Sequence, residues 1–409
     1  MHAQLSPEFS ATPKGEEAAG ILRKCVHCGF CNATCPTYQL LGDELDGPRG
    51  RIYLIKQVLE GREVTRSTQI HLDRCLTCLN CESTCPSGVK YGQLVEIGRQ
   101  IVETRVPRPP LERLARWSLK EGLTSRLFAP AMRVGRMLRP ILPRVLKDKI
   151  APSSSRLPLP PPSRGLRKML MLEGCVQPAM MPNVDRAMQR VLDKAGIQIV
   201  RAAGTTCCGA LRMHLSDGDG ARAQMRRNLD AWIPLLAAGE VEAIISSASA
   251  CTLSLKDYGR ELADDPLYAA KAARVGALVR DLSELLPQLV PALKGQLRSR
   301  AAKGLVFHAP CTLQHGQRLG GAVESGLREL GVDITSAIEE SHLCCGSAGT
   351  YSVLQPQLAR QLRDRKLSNL AKLNPQCILS ANVGCIQHLK SGTSTKVMHW
   401  IEWLDEALV

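Results

Sequence analysis

Cys25-Val26-His27-Cys28-Gly29-Phe30-Cys31-Asn32-Ala33-Thr34-Cys35-Pro36 and Cys75-Leu76-Thr77-Cys78-Leu79-Asn80-Cys81-Glu82-Ser83-Thr84-Cys85-Pro86 share one spacing, C-x2-C-x2-C-x3-C-P. Thiolates are soft ligands, and three of them two residues apart can wrap three corners of a [4Fe–4S] cube. The fourth, displaced by one more residue and set beside a proline, points toward a second cube. Zinc is the competing reading. Zinc ribbons pair C-x2-C elements to give four ligands in total, a scheme with no role for a third cysteine at +6 and a fourth at +10. Two [4Fe–4S] clusters are therefore expected.

This is the run found in bacterial ferredoxins, whose crossed ligation gives cluster one Cys25, Cys28, Cys31 and Cys85, and cluster two Cys75, Cys78, Cys81 and Cys35. The gap between the motifs contains Gly47-Pro48-Arg49-Gly50-Arg51-Ile52-Tyr53-Leu54-Ile55-Lys56-Gln57-Val58-Leu59-Glu60, with Ile52, Ile55, Val58 and Leu59 on one helical face. The spacing predicts an α-helical ferredoxin domain over residues 1–104 rather than a compact hairpin one. His27, a lone loop histidine, is read as a supporting or solvent-facing group and not as a ligand.

Eight further cysteines fit a longer repeat. Cys175 leads to Cys207-Cys208-Gly209 and then Cys251, and Cys311 leads at closely similar spacings to Cys344-Cys345-Gly346 and then Cys385. Of the 17 cysteines this leaves Cys377, whose apolar strand context predicts a buried, inert thiol. Strand-like runs at 168–173, 198–200, 242–246, 304–308 and 377–380 alternate with helical patterns at 184–195 and 323–330, which predicts parallel α/β layering. The fold class is α+β multidomain: the ferredoxin, then two repeated α/β Cys-Cys-Gly domains at 166–300 and 301–409.

The formal charge is +15, from 53 Lys and Arg against 38 Asp and Glu, and one segment carries nearly all of it. Arg105 to Lys168 holds 16 basic residues and three acidic ones, Glu112, Glu121 and Asp148. Leu111, Leu114, Ala115, Trp117 and Leu119 approach helical spacing there, while Pro107, Pro109, Pro110, Pro130, Pro140 and Pro143 are expected to cut the segment into short pieces. Ala151 to Ser163 reads as an extended Pro/Ser linker, so 105–165 is taken as a basic connector. Three readings of it stand: a solvated connector, a membrane-surface anchor, or a nucleic-acid contact. Aromatics make up only 3% of the chain, which argues against base-stacking platforms, and no nucleic acid is expected. No apolar run of membrane-spanning length occurs, and Met1 to Glu8 lacks the pattern of a secretory signal, so a cytoplasmic location is expected.

The chain resembles the iron–sulfur subunits of glycolate oxidases, also called glycolate dehydrogenases. The resemblance rests on Ile21 to Cys25, on Thr37-Tyr38-Gln39-Leu40-Leu41-Gly42-Asp43-Glu44-Leu45-Asp46 running into Gly47 to Leu54, on Ser341-His342-Leu343-Cys344-Cys345-Gly346-Ser347-Ala348-Gly349-Thr350-Tyr351, and on His399 to Glu402. It implies a hetero-oligomeric complex in which a separate FAD-containing subunit oxidises glycolate to glyoxylate. This chain would pass the electrons singly toward a quinone or other acceptor, with a peripheral contact on the inner face of the cell membrane as an option. Lactate and glycerol-3-phosphate dehydrogenase subunits are the alternatives within the wider ferredoxin plus Cys-Cys-Gly group. No Gly-x-Gly-x-x-Gly turn occurs, consistent with FAD only in the partner and no catalytic residue here. In the heterodisulfide reductase branch the Cys-Cys-Gly motifs end in C-x2-C, whereas here Ala248-Ser249-Ala250-Cys251 and Asn382-Val383-Gly384-Cys385 each lack one cysteine. The four thiols left in each unit leave a further cluster open, with His308, His315 and His342 either tuning it or lining the seam between repeats.

Overall fold

Every regular element up to residue 105 is helical, in a computed structural model that describes residues 1–125, 127–141, 158, 167–298 and 304–409. The frame consists of α1 (Pro13–Lys24), α2 (Pro48–Leu59), α3 (Arg66–Asp73) and α4 (Tyr91–Arg105). Proline opens α1 and α2, and the Thr12 hydroxyl accepts from the Gly15 amide to cap α1. As the spacing predicts, α2 buries Ile52, Ile55, Val58 and Leu59, in one core with Leu94, Val95, Ile97 and Val102 of α4. The two helices touch at Gly98, where a Cβ would lie 2.6 Å from Ile55 Cγ1.

The basic segment forms α5 (Pro110–Thr124) and α6 (Phe128–Leu138). This corrects the expectation of short, proline-cut pieces. Pro110 occupies the first position of α5 and Pro130 the first turn of α6, where amides have no intrahelical partner to lose. The stretch 151–163, read as an extended linker, lies outside the described residues except for Pro158.

Two four-stranded sheets follow, all parallel. The first contains β1 (Arg167–Met171), β2 (Ile197–Val200), β3 (Ala243–Ser246) and β4 (Val279–Asp281) in the order β2-β1-β3-β4. The second contains β5 (Leu305–His308), β6 (Ile334–Ser336), β7 (Cys377–Ser380) and β8 (Lys396–His399) in the matching order β6-β5-β7-β8. Met169 stands opposite both Ile199 and Ala243, and Leu305 opposite both Ile334 and Cys377. The inner strands β3, β5 and β7 are buried along their whole length, as parallel strands covered on both faces must be.

The two units share one core that runs from Met169 through Leu285 to Leu404. Helix α7 (Pro182–Lys194) packs on α8 (Trp400–Ala407), with Arg190 paired to Asp405. At the other end of the sheets Ser249 N donates to Ala381 O (3.2 Å) and His399 Nε2 to Ser247 O (2.8 Å). A smaller apolar cluster, including Leu76, Cys78, Cys344, Tyr351 and Leu362, joins the ferredoxin to the second unit. Among the described residues no helix is long and apolar enough to cross a membrane.

Candidate metal centres

Both cysteine motifs fold the same way. The residues two and four after the first cysteine are left-handed in each: His27 (φ 60°) and Gly29 (φ 86°), then Thr77 (φ 49°) and Leu79 (φ 63°). Three of these four are not glycine, and such backbone costs about 1–3 kcal/mol apiece, a strain retained where loop geometry serves a site. The alternation turns successive amides and thiols inward. Thr77 N donates to Cys75 Sγ at 3.4 Å.

The loops form two adjoining recesses. Cys25, Cys28, Cys31 and Cys85 line the first, with Ile52, Val89 and Pro86. Cys35, Cys75, Cys78 and Cys81 line the second, with Thr37, Arg51 and Leu76. Pro48, Cys81 and Tyr91 belong to both walls. The first opens outward, since Cys28 is exposed and Val26 and Phe30 stand in solvent beside it, whereas all four cysteines of the second are buried.

Charge explains why these thiols suit a metal cluster. Burial, and after it the neighbouring Cys25 thiol, pushes Cys31 up to about 11. Burial pushes Cys78 and Cys81 well up, and the nearby Cys78, Cys75 and Cys35 thiols add to the shift at Cys81. Four buried thiolates cannot share a recess without a cation among them, and iron supplies that charge. The donor set and its enclosure fit [4Fe–4S] clusters.

The second recess has a cationic wall that the motif reading missed. Arg51, 1% exposed, donates from Nη1 to Thr37 Oγ1 (3.1 Å), from Nε to His71 O (2.7 Å) and from Nη2 to Asp46 Oδ1 (3.3 Å). Thr37 Oγ1 lies 3.3 Å from Cys35 Sγ. Arg99 Nη2 donates to the carbonyls of Leu72 (2.7 Å) and Cys75 (2.5 Å), and Tyr91 OH to Cys75 Sγ (3.5 Å). Burial alone would raise the Cys75 thiol, yet Arg51 and then Arg99 hold it below its ordinary value. The sequence carried a signal: Arg51 and Arg99 fall on the apolar faces of α2 and α4, where a charge must find partners.

In both Cys-Cys-Gly units the four thiols follow the carboxyl ends of the strands, after β1, β2 and β3 and again after β5, β6 and β7, with Cys251 and Cys385 in the first turns of the helices that start at Ser249 and Val383. That end, beside the point where strand order reverses, is where open parallel sheets bind ligands. Cys175 Sγ lies 3.3 Å from Cys207 Sγ and Cys311 Sγ 3.8 Å from Cys344 Sγ, with Cys208 near Cys251 and Cys345 near Cys385. Buried Lys366 faces Cys345, Cys344 and Cys311, and its Nζ donates to Glu340 O at 2.6 Å. The second set adjoins the second recess, because Cys311 and Cys344 pack in one cluster with Cys78.

The remaining polar positions separate. His315 joins Ser83 Oγ (2.9 Å) to His342 O (2.8 Å), so it lines the seam between ferredoxin and second unit, on a turn, Thr312–Gly316, that also packs against the first repeat. His308 is buried on β5 against Ser380 Oγ (3.0 Å), and burial takes its pKa to about 3. The His27 ring stacks near Tyr53, with centroids 6.4 Å apart. Cys377 is buried in β7, and burial pushes its thiol to about 11. A cavity of about 80 Å³ beside Cys75 is lined by Arg99, His214 and Tyr351. The Tyr351 hydroxyl and His214 Nδ1 have no partner among the described residues, and the space suits roughly two or three waters.

A 4Fe–4S dicluster domain model matches residues 21–89, and a cysteine-rich domain model matches 169–256 and 305–390. The chain is 52% identical, over 100% of its length and 99% of the relative's, to the glycolate oxidase iron–sulfur subunit of Escherichia coli strain K12. It is 28% identical to the probable glycolate oxidase iron–sulfur subunit of Bacillus subtilis strain 168, over 95% of this chain and 92% of that one. Lactate utilization protein A of Bacillus velezensis is 25% identical over 58% of this chain and 99% of its own.

Proposed function

The chain belongs to the family of glycolate oxidase iron–sulfur subunits, and from that premise we propose that it carries electrons away from a flavoprotein subunit that oxidises glycolate to glyoxylate. The observation that carries this reading is the pair of adjoining recesses lined by these eight cysteines, with Pro48, Cys81 and Tyr91 common to both walls. Cys25, Cys28, Cys31 and Cys85 hold one [4Fe–4S] cluster, and Cys75, Cys78, Cys81 and Cys35 the other. Bound there, the clusters supply one-electron carriers to a two-electron donor such as reduced flavin.

This chain's residues give the relay its direction. The outward-facing recess, flanked by exposed Val26 and Phe30, is where the FAD subunit docks. The four cysteines of the inner recess are buried, and Arg51 and Arg99 stabilise added negative charge beside Cys75. Electrons therefore run inward, toward the second Cys-Cys-Gly unit and a quinone or other acceptor reached at the inner face of the membrane. The domain limits that go with this reading are 1–104, 105–165, 166–300 and 301–409.

The full-length match to glycolate oxidase subunits, against a 58% match to a lactate-utilisation protein, supports glycolate as the substrate of the complex. Anaerobic mixing of the chain, co-purified with its flavoprotein partner, with glycolate should bleach the iron–sulfur absorbance, while lactate at equal concentration should leave it largely oxidised. Bleaching by lactate alone would transfer the assignment to the lactate branch.

A further inference from the structure

Helices α5 and α6 are mounted the wrong way round for a surface element. The side of α5 that meets the protein is charged: Glu112 pairs with Arg108 (3.2 Å), Arg116 with Asp73 (3.8 Å) and Lys120 with Asp217 (3.2 Å), while Glu121, in the last turn, reaches Arg212 (2.6 Å). Its outward side carries Leu111 (82% exposed), Leu114 and Trp117 (58% exposed), which fall within an arc of about 120° on the helix. On α6, Arg136 turns inward to the carbonyl of Ala179, while Val134, Met137 (80% exposed) and nearby Ile141 face out. Neither helix has a buried residue. Eight of the 17 large hydrophobic side chains exposed in the described chain lie between residues 111 and 141. A free surface does not gather apolar side chains in this way without something to cover them.

We propose that the outer face of α5 and α6 docks on an anionic lipid bilayer, lying in the headgroup region without crossing it. Charge selects this occupant. Arg113 and Arg133 stand exposed beside the apolar side chains, whereas the two acidic residues of these helices, Glu112 and Glu121, are paired with Arg108 and Arg212. Trp117 agrees: the other three tryptophans, Trp232, Trp400 and Trp403, are buried, and an exposed indole amid Leu and Arg is an interfacial anchor. The two helices, 15 and 11 residues long, reach about 22 and 16 Å. That suits lying flat. Glu112 and Arg116 on the inner side of α5 line the cavity beside Cys75, so docking here turns the inner recess toward the membrane. This deepens the membrane contact put forward above, and its readout involves no glycolate, so the two proposals fail separately.

The test is flotation of the full-length holoprotein with phosphatidylglycerol/phosphatidylcholine vesicles and with phosphatidylcholine vesicles alone. Binding is expected to the anionic vesicles, to weaken with salt, and to fall roughly tenfold or more in Leu114→Glu/Met137→Glu and in Arg113→Gln/Arg133→Gln. All these positions are exposed, and retained iron–sulfur absorbance checks that the variants are folded. Brominated lipid should quench a tryptophan signal that Trp117→Phe removes. Equal binding by the Leu114→Glu/Met137→Glu variant, or no binding to anionic vesicles, overturns the proposal. So does a Trp117 already shielded from aqueous quenchers without vesicles, which would mean that the chain itself covers the face. Loss of the flavoprotein partner in the glutamate variant, with vesicle binding absent throughout, would assign the face to that subunit instead.

Discussion

Arg51 illustrates what one buried charge does for a neighbouring site. Its guanidinium holds Asp46, which is 0% exposed, and bonds the Thr37 hydroxyl that touches Cys35. Arg51→Met leaves that carboxylate with Arg74 (2.8 Å) as its remaining arginine, and we expect a loss of roughly 1.5–3 kcal/mol of folding stability, read by denaturant unfolding. Arg51→Lys keeps the charge and should lose less, while the reduction potential of the inner cluster should fall in Arg51→Met by redox titration, because a cation beside it is gone. Cys85→Ser tests the crossing of ligands. Cys85 lies in the second motif but lines the recess of the first, so its loss should abolish the outer cluster's signal and spare the inner one. His399 reads out pH. It donates from Nε2 to Ser247 O and accepts at Nδ1 from Ile401 N (3.1 Å), and burial takes its pKa to about 4 from an ordinary 6.5. The folded state prefers the neutral ring, so this contribution is complete above about pH 6.5 and is lost as pH falls toward 4, an effect on the order of 3 kcal/mol. In His399→Asn the urea midpoint should fall less between pH 7 and pH 4.5 than in the parent.

At the scale of elements, the Cys-Cys-Gly turn needs its glycine. Gly209 and Gly346 have φ of 94° and 86°, and a Cβ on Gly346 would sit 2.5 Å from Ala359 O, against 3.2 Å from Met225 Cε at Gly209. Gly346→Ala should cost about 2–4 kcal/mol and lower the melting temperature more than Gly209→Ala, whose tightest contacts, Met225 Cε and Ala221 O (3.3 Å), are looser. The inner strands could be read from sequence because their runs are continuously apolar: 242–246 corresponds to Ala243–Ser246, and 304–308 to Leu305–His308. The edge strands β4, β6 and β8, Val-Arg-Asp, Ile-Thr-Ser and Lys-Val-Met-His, could not, since three or four half-polar residues carry no periodic signal. Periodicity likewise showed that 111–120 is amphipathic but not which face points inward. That depends on Asp73, Asp217 and Arg212, partners far away in the chain.

For the whole molecule, charge and cofactor separate along the chain. The formal +15 treats every cysteine as a neutral thiol. Two oxidised [4Fe–4S] centres, each roughly −2 with its four thiolates, would bring the chain to about +11 and place that negative charge in the ferredoxin, next to the basic helices. The two runs of four cysteines were legible because each spacing is local, while Cys85 at the first recess and Cys35 at the second cross between the runs. The contact of the inner set with Cys311 and Cys344 was not, since only the packing of Leu76 and Cys78 on the second unit brings them together. That contact sets the inner recess against the thiols of the second Cys-Cys-Gly unit. The central claim is that the ferredoxin holds two [4Fe–4S] clusters in adjoining sites. Iron and acid-labile sulfide counts on the anaerobically purified chain, with electron paramagnetic resonance after reduction, test it most directly. We predict about eight irons and eight sulfides or more, with signals broadened by mutual interaction; about four irons, or zinc without iron, would contradict it.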